Sequence, residues 1–263
     1  MREITDLKEL QQIQLDILKK IHEFCINNNI EYRLCAGSLL GAVRHKGFIP
    51  WDDDIDISMN REHYDRFLLL FPNHQDELNL KIANHTTKPY YGRPMTKVYD
   101  TRTILEEKEY LYDDIIGVNI DIWPIDSLPD DEKLANEQIK KAIMYKRLMT
   151  IQNSRFKSNK GIVKKLLHLA LKLVSKKRYV NKLVEVATMY PNPESKRIAG
   201  FAGGIRPSDR ELVRTLVLVP FEDSYFFIPT HYHELLTMTY GNYMEYPPKE
   251  EQKPHHIINT YWK

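Results

Sequence analysis

Between Asp6 and Ile26 the apolar residues Leu7, Leu10, Ile13, Ile17, Ile21 and Phe24 return every three or four positions, a spacing that gathers them on one face of an α-helix. Asn27-Asn28-Asn29 ends it. The next segment, EYRLCAGSLLGAVRHKGFIPWDDDIDISM, predicts a short strand over Tyr32 to Cys35, a Gly-Ser turn opening a brief helix, a Gly-Pro loop, and then alternation from Asp54 to Met59. Alternation at period two is the mark of a strand. Residues 61–71 (REHYDRFLLLF) read as a helix, and residues 79–122 hold several strand-like runs, the last being Gly117-Val118-Asn119-Ile120-Asp121-Ile122-Trp123. The pattern is helical from about 131 to 190, mixes short strands with proline breaks from 198 to 238, and closes in a tail rich in Tyr, Pro and His. It predicts an α/β (α+β) chain in three stretches: a core with its N-terminal helix over 1–130, a basic helical insertion over 131–197, and a C-terminal segment over 198–263 that completes the site.

A chain of 263 residues with 42% hydrophobic residues can bury a sizeable core. Its net charge of +2, from 38 basic and 36 acidic residues, excludes a uniformly basic nucleic-acid coat and moves attention to where the charges lie. Two cysteines, Cys25 and Cys35, make neither a disulfide framework nor a zinc site. They suit a reducing compartment, so the cytosol is expected. Neither a signal peptide nor a run of about 18 apolar residues is found.

The chemistry concentrates in WDDDIDI, where Asp52, Asp53, Asp54 and Asp56 stand together. Like charges at this spacing repel, and a bound cation is the natural compensation. In a strand, Asp54 and Asp56 share one face while Ile55 and Ile57 face the core. Hard divalent cations take oxygen ligands of this kind, and Asp121, between Ile120 and Ile122 in another strand, offers a third. A solvated Asp-rich turn or a calcium loop is the bland alternative, but neither needs the Asp-Ile-Asp-Ile alternation. Ala36-Gly37-Ser38 adds a turn where Gly37 would let backbone approach a phosphate at the start of a helix.

Gly37 and Ser38, then Asp54 and Asp56, then Asp121 together resemble the active-site signature of the polymerase-beta-like nucleotidyltransferase fold. More narrowly, AGSLLGAVRHKGFIPWDDDIDISM is similar, almost letter for letter, to the signature of the LicD family of phosphotransferases, whose relatives include the fukutin group. FEDSYFFIPTHYHELLTMTYGNYMEYPP and KPHH resemble that family's C-terminal half. The resemblance implies a nucleotidyltransferase-like fold with a helical insertion and a C-terminal extension. It also implies transfer of phosphocholine or a polyol phosphate from CDP-choline or another CDP-alcohol to a hydroxyl of a glycan or teichoic acid precursor. On this reading Asp54, Asp56 and Asp121 hold Mg2+ or Mn2+, Asp121 is the first choice to take the proton of the attacking hydroxyl, Asp52 supports the loop or hydrogen-bonds a ligand, and Asp53 points away. Nucleotidyl transfer to a small molecule or RNA is the alternative chemistry.

Arg44, His45 and Lys46 form a basic loop that could hold a diphosphate, and Arg93 and Lys97 have a similar claim. His255 and His256 are secondary candidates. Tyr240, Tyr243, Tyr246, Tyr261 and Trp262 could cage a quaternary ammonium, or simply pack the tail. Residues 157–182 carry no acidic residue and interleave Lys with Leu, Ile and Val. They read either as a peripheral contact with the anionic inner face of a membrane, where a lipid-linked acceptor would lie, or as a packed helix with a wet basic face. One basic helix without a recognised module does not make a nucleic-acid interface, and no nucleic-acid partner is expected.

Overall fold

The computed structural model describes residues 1–88, 91–107, 116–153, 170, 174–254 and 258–263. After a two-residue strand β1 (Arg2–Glu3), helix α1 (Leu7–Asn27) starts at Asp6, whose carboxylate accepts the Lys8 amide. Its stripe of Leu10, Ile13, Ile17, Leu18, Ile21 and Phe24 is buried as the periodicity predicts. Gln14 lies within that stripe and is also buried.

Helix α1 lies on a mixed sheet ordered β2-β3-β7-β5-β4, made of β2 (Arg33–Leu34), β3 (Asp56–Asn60), β4 (Leu80–Ala83), β5 (Thr96–Asp100) and β7 (Asn119–Leu128). Strands β3 and β7 run parallel, with Asp56 level with Asp121, while β2, β4 and β5 pair antiparallel with their neighbours. The far half of β7 pairs with β8 (Arg197–Ala199), which carries β9 (Pro207–Asp209). Two helices flank the acidic segment in the chain: α2 (Ala36–His45) precedes it, and α3 (Arg61–Leu70) follows β3 directly.

A small sheet joins the ends of the chain, since β12 (Ile258–Trp262) pairs with both β1 and β6 (Thr103–Glu107). A hairpin, β10 (Leu216–Phe221) with β11 (Ser224–Pro229), closes the main core through Phe221, Phe226 and Ile228. Helices α5 (Glu132–Asn153) and α6 (Lys176–Ala187) build a second core in which Ala135, Ala142 and Met149 meet Val180, Leu183 and Val186. Two short helices, α4 (Gln75–Leu78) and α7 (Glu211–Arg214), and the longer α8 (Tyr232–Tyr240) complete the described residues.

The structure bears on three points of the sequence reading. The strand expected from Asp54 begins only at Asp56, whose amide is taken by the Ser38 hydroxyl. Tyr261 and Trp262 are committed to β12, and the Trp262 indole donates to Glu9. Most of the basic stretch 157–182 lies outside the described residues, and its end opens α6, which packs on α5.

Strand β7 is tied to α3 by a forked pair in which Arg61 donates from Nε at 2.6 Å and Nη2 at 3.2 Å to Asp126, whose side chain is 2% exposed. Removing one partner of a buried pair leaves the other uncompensated, which costs about 3 kcal/mol. Asp126→Ala should therefore lower the urea midpoint by an amount corresponding to that loss. A change below about 0.5 kcal/mol, the size usual for surface substitutions, would show that the pair does not anchor α3.

Candidate functional site

The acidic segment is held from behind through its main chain. On α1, Gln11 Nε2 donates to the Asp52 carbonyl at 2.8 Å and Gln14 Nε2 to the Asp53 carbonyl at 2.9 Å. The Asp121 amide donates to Ile55 O, and the Cys35 amide to Asp56 O. Ser38 Oγ accepts the Asp56 amide at 2.8 Å. Ser38 thus fixes the backbone of an acidic residue and is buried, where the sequence reading had placed it at a phosphate. Gly37 lines the cavity described below, and a Cβ there would lie 2.8 Å from Asp52 Oδ2, so the missing side chain also makes room for a carboxylate. Ala36, beside it, sits at φ 49°, a left-handed conformation that costs an L-residue about 1–2 kcal/mol.

These ties aim the carboxylates together. Ile55 and Ile57 are fully buried, while Asp54 and Asp56 line a cavity of about 660 Å³ together with Asp52. Among the described residues, Asp52, Asp53 and Asp54 form a group in which one carboxylate oxygen from each lies within 4.8 Å of the others. Asp53 therefore does not point away, because its carboxylate joins the cluster. Burial, then Asp54 and Asp53, push the Asp52 carboxyl up to about 8. Burial, then Asp54 and Asp121, raise Asp56 well above the usual carboxylate range. Asp121, level with Asp56 on β7, is buried, and its Oδ1 accepts from Lys97 Nζ at 2.8 Å. Lys97 also donates to Asn119 at 2.9 Å. Its ammonium is thus placed on the third acid and does not line the cavity.

The walls are aromatic and acidic. Trp51, Tyr240, Tyr243 and Tyr246 face the cavity, with Glu245 and Glu251 beside them. Trp51 and Tyr246 have ring centroids 6.3 Å apart, and the His45 ring meets both edge-on. Burial, followed by Asp56, Cys35, Asp52 and Asp54, holds the Tyr240 hydroxyl up at about 12, so it stays protonated. Tyr243 is anchored by a bond of 3.0 Å between its hydroxyl and His233 Nδ1.

Arg44 and His45 belong to the last turn of α2 and not to a loop. Arg44 Nη1 donates to the carbonyls of Tyr243 and Glu245 at 2.9 and 3.2 Å, and its guanidinium lies 4.8 Å from the Tyr246 ring centre. It therefore pins the C-terminal segment to the cavity rim. Burial and then Arg44 lower the His45 pKa, which keeps that ring neutral. Lys46 is exposed, caps α2 in the left-handed region and does not line the cavity; Arg93 is half-buried and also off its wall. His255 and His256 lie outside the described residues.

Sequence reading missed Trp51, Gln11, Gln14 and Glu251. Gln14 carried the clearest signal, a polar side chain in the apolar stripe of α1. The oxygen-only donors of the cluster, crowded and raised in pKa, suit a hard divalent cation.

A carboxyl with a raised folded pKa stabilises the fold below its unfolded value and loses that contribution as pH rises through its folded value. For Asp52 the window runs from 3.8 to about 8. In chelator-treated protein, Asp52→Asn should raise the melting temperature relative to the parent at pH 8 and leave it unchanged near pH 3. Equal differences at both pH values would mean that Asp52 is not the strained group.

Comparisons with known proteins give the chain its family. The family model for the LicD/FKTN/FKRP nucleotidyltransferase domain matches residues 29–167, which include the acidic segment, Asp121 and Lys97. The lipopolysaccharide cholinephosphotransferase LicD of Haemophilus influenzae is 34% identical over 273 aligned positions, covering 99% of each chain. An uncharacterised protein of Rickettsia typhi is 40% identical over 82 residues, 31% of this chain and 26% of its own, and one of Rickettsia prowazekii 49% over 59 residues, 22% and 21%. A domain match over the half of the chain that carries the acids, joined to a likeness running from end to end, shows that this chain belongs to the LicD family.

Proposed function

We propose that the protein transfers phosphocholine from CDP-choline to a hydroxyl of a cell-surface glycan precursor and releases CMP. The observation that carries this reading is the single cavity in which a carboxylate floor meets an aromatic and acidic wall. The end-to-end relative named as a lipopolysaccharide cholinephosphotransferase supports it. Residues 1–130 would supply the catalytic core, 131–197 an insertion, and 198–263 the segment that closes the cavity.

Asp54, Asp56 and Asp121 would hold Mg2+ or Mn2+, with Asp52 beside them. The cation would neutralise the donor's diphosphate and the charge developing on the leaving CMP. Trp51, Tyr240 and Tyr246 offer ring faces to the trimethylammonium group, and Glu245 and Glu251 add negative charge around it. The acceptor oxygen attacks the phosphorus of the phosphocholine group, the bond from that phosphorus to the bridging oxygen breaks, and CMP leaves. The hydroxyl proton goes to a cavity-facing carboxylate, since Asp121 Oδ1 is engaged by Lys97. Among the described residues, no helix is long and apolar enough to cross a membrane. A lipid-linked acceptor would meet the protein at the inner face, with the basic stretch 157–182 as the contact.

Purified protein with Mg2+ should release CMP from CDP-choline faster than from CDP-glycerol or CDP-ribitol. Asp54→Asn and Asp56→Asn should each abolish release without lowering the melting temperature, whereas Asp121→Asn should abolish release and also lower it, because the buried Lys97 ammonium loses its charged partner. A cation–π contact is worth about 0.5–2 kcal/mol, so Trp51→Ala or Tyr246→Ala should raise KM for CDP-choline by roughly 2- to 30-fold while sparing CDP-glycerol. Consumption of a nucleoside triphosphate with pyrophosphate release would replace this reading with nucleotidyl transfer.

A further inference from the structure

Asp56 sits between Asp54 and Asp121, whose charges both oppose its ionisation, and such a side chain left alone would rotate away from its neighbours. One contact opposes that rotation: Trp123 Nε1 donates to Asp56 Oδ1 at 2.7 Å. Trp123 lies two residues beyond Asp121 on β7, hence on the same strand face, and is level with Ser58 of β3. Its ring is boxed in. It is partly buried and packs against the small cluster of Ala83, Tyr91, Met95 and Tyr99. At Gly203 a Cβ would lie 3.8 Å from Trp123 Cε3 and Cζ3, and the Gly203 carbonyl accepts from Lys146 Nζ of α5. An indole packed in this way holds its N–H in one place.

We propose that Trp123 is a positioning residue for Asp56: its indole N–H fixes one carboxylate oxygen, so that the other is presented to a divalent cation at the cavity floor. The chemistry of the donor matters. Indole is a neutral donor and cannot accept, so it orients the carboxylate while leaving its full negative charge for a cation. A lysine or arginine in the same place would offset part of that charge, as Lys97 does at one oxygen of Asp121. Partners that orient a metal ligand from behind typically contribute 10- to 100-fold to metal affinity or activity. The inference rests on the reading of Asp56 as a cation ligand.

The test compares the parent with Trp123→Phe, which keeps an aromatic ring without a donor, and Trp123→His, whose Nε2 occupies the place in the five-membered ring that Nε1 has in tryptophan. Mn2+ binding is measured by calorimetry without substrate, CMP release from CDP-choline gives kcat and KM, and thermal melting follows the fold. Trp123→Phe should lose roughly 10- to 100-fold in Mn2+ affinity and in kcat, with KM for the donor within a few-fold. Trp123→His should recover part of both losses although it fills the site less well. Parent-like Mn2+ affinity in Trp123→Phe would overturn the proposal, and so would equal losses in both variants tracking a fall in melting temperature, since the ring would then act only by packing. If the parent itself binds no Mn2+, the metal reading of the site fails and takes this inference with it.

Discussion

Four carboxylates are confined within a short stretch of backbone, largely out of water, and the fold is organised around that electrostatic cost. Asp52 and Asp53 are 6% and 4% exposed, so neither can relieve repulsion by turning into solvent. Charge in such a site is expensive unless something opposite in sign compensates it. Among the described residues, Lys97 donates to Asp121, the acid level with Asp56. Neutral groups also order the segment. Gln11 and Gln14 hold the carbonyls of the acidic segment, Ser38 holds an amide, Gly37 yields space to a carboxylate, and Trp123 grips Asp56. A scaffold of neutral donors orders acids without quenching them, which is what a cation site requires.

The same frame explains why the C-terminal segment returns to the N-terminal half. Arg44 reads out the carbonyls of Tyr243 and Glu245, and this contact brings Tyr243, Tyr246 and the two glutamates over the carboxylates. A ligand with phosphates at one end and a positive, apolar group at the other would match a wall of rings above a carboxylate floor, given the cation proposed there. Membership of the LicD family places this chemistry among phosphotransferases, and the cavity supplies the structural basis for the proposed donor.

Much of this was legible in the sequence because the relevant signals are local. The period-two run from Asp54 put Ile55 and Ile57 in the core, and the spacing in α1 gave its buried face. Asp121 beside Asp56 follows from two apolar strands each carrying one acid, although only the parallel register of β3 and β7 shows that they are level. What stayed hidden depends on contacts distant in the chain. That Arg44 pins the C-terminal segment was hidden because its partners lie about 200 positions away; that Tyr261 and Trp262 pack the tail, one of the two readings left open, needed their strand partners β1 and β6, which cannot be read from composition. Asp53 was misjudged because strict alternation was extended into a segment that precedes the strand.

The central claim is that the carboxylate floor holds a divalent cation beneath an aromatic wall that receives the donor's cationic end. Anomalous diffraction from crystals grown with Mn2+ and CDP-choline tests it most directly. The account predicts an anomalous peak bounded by Asp54 and Asp56, the diphosphate on its cavity side, and the trimethylammonium group against Trp51 and Tyr246. Donor bound with no peak at these carboxylates, or with its choline end away from the rings, would contradict it.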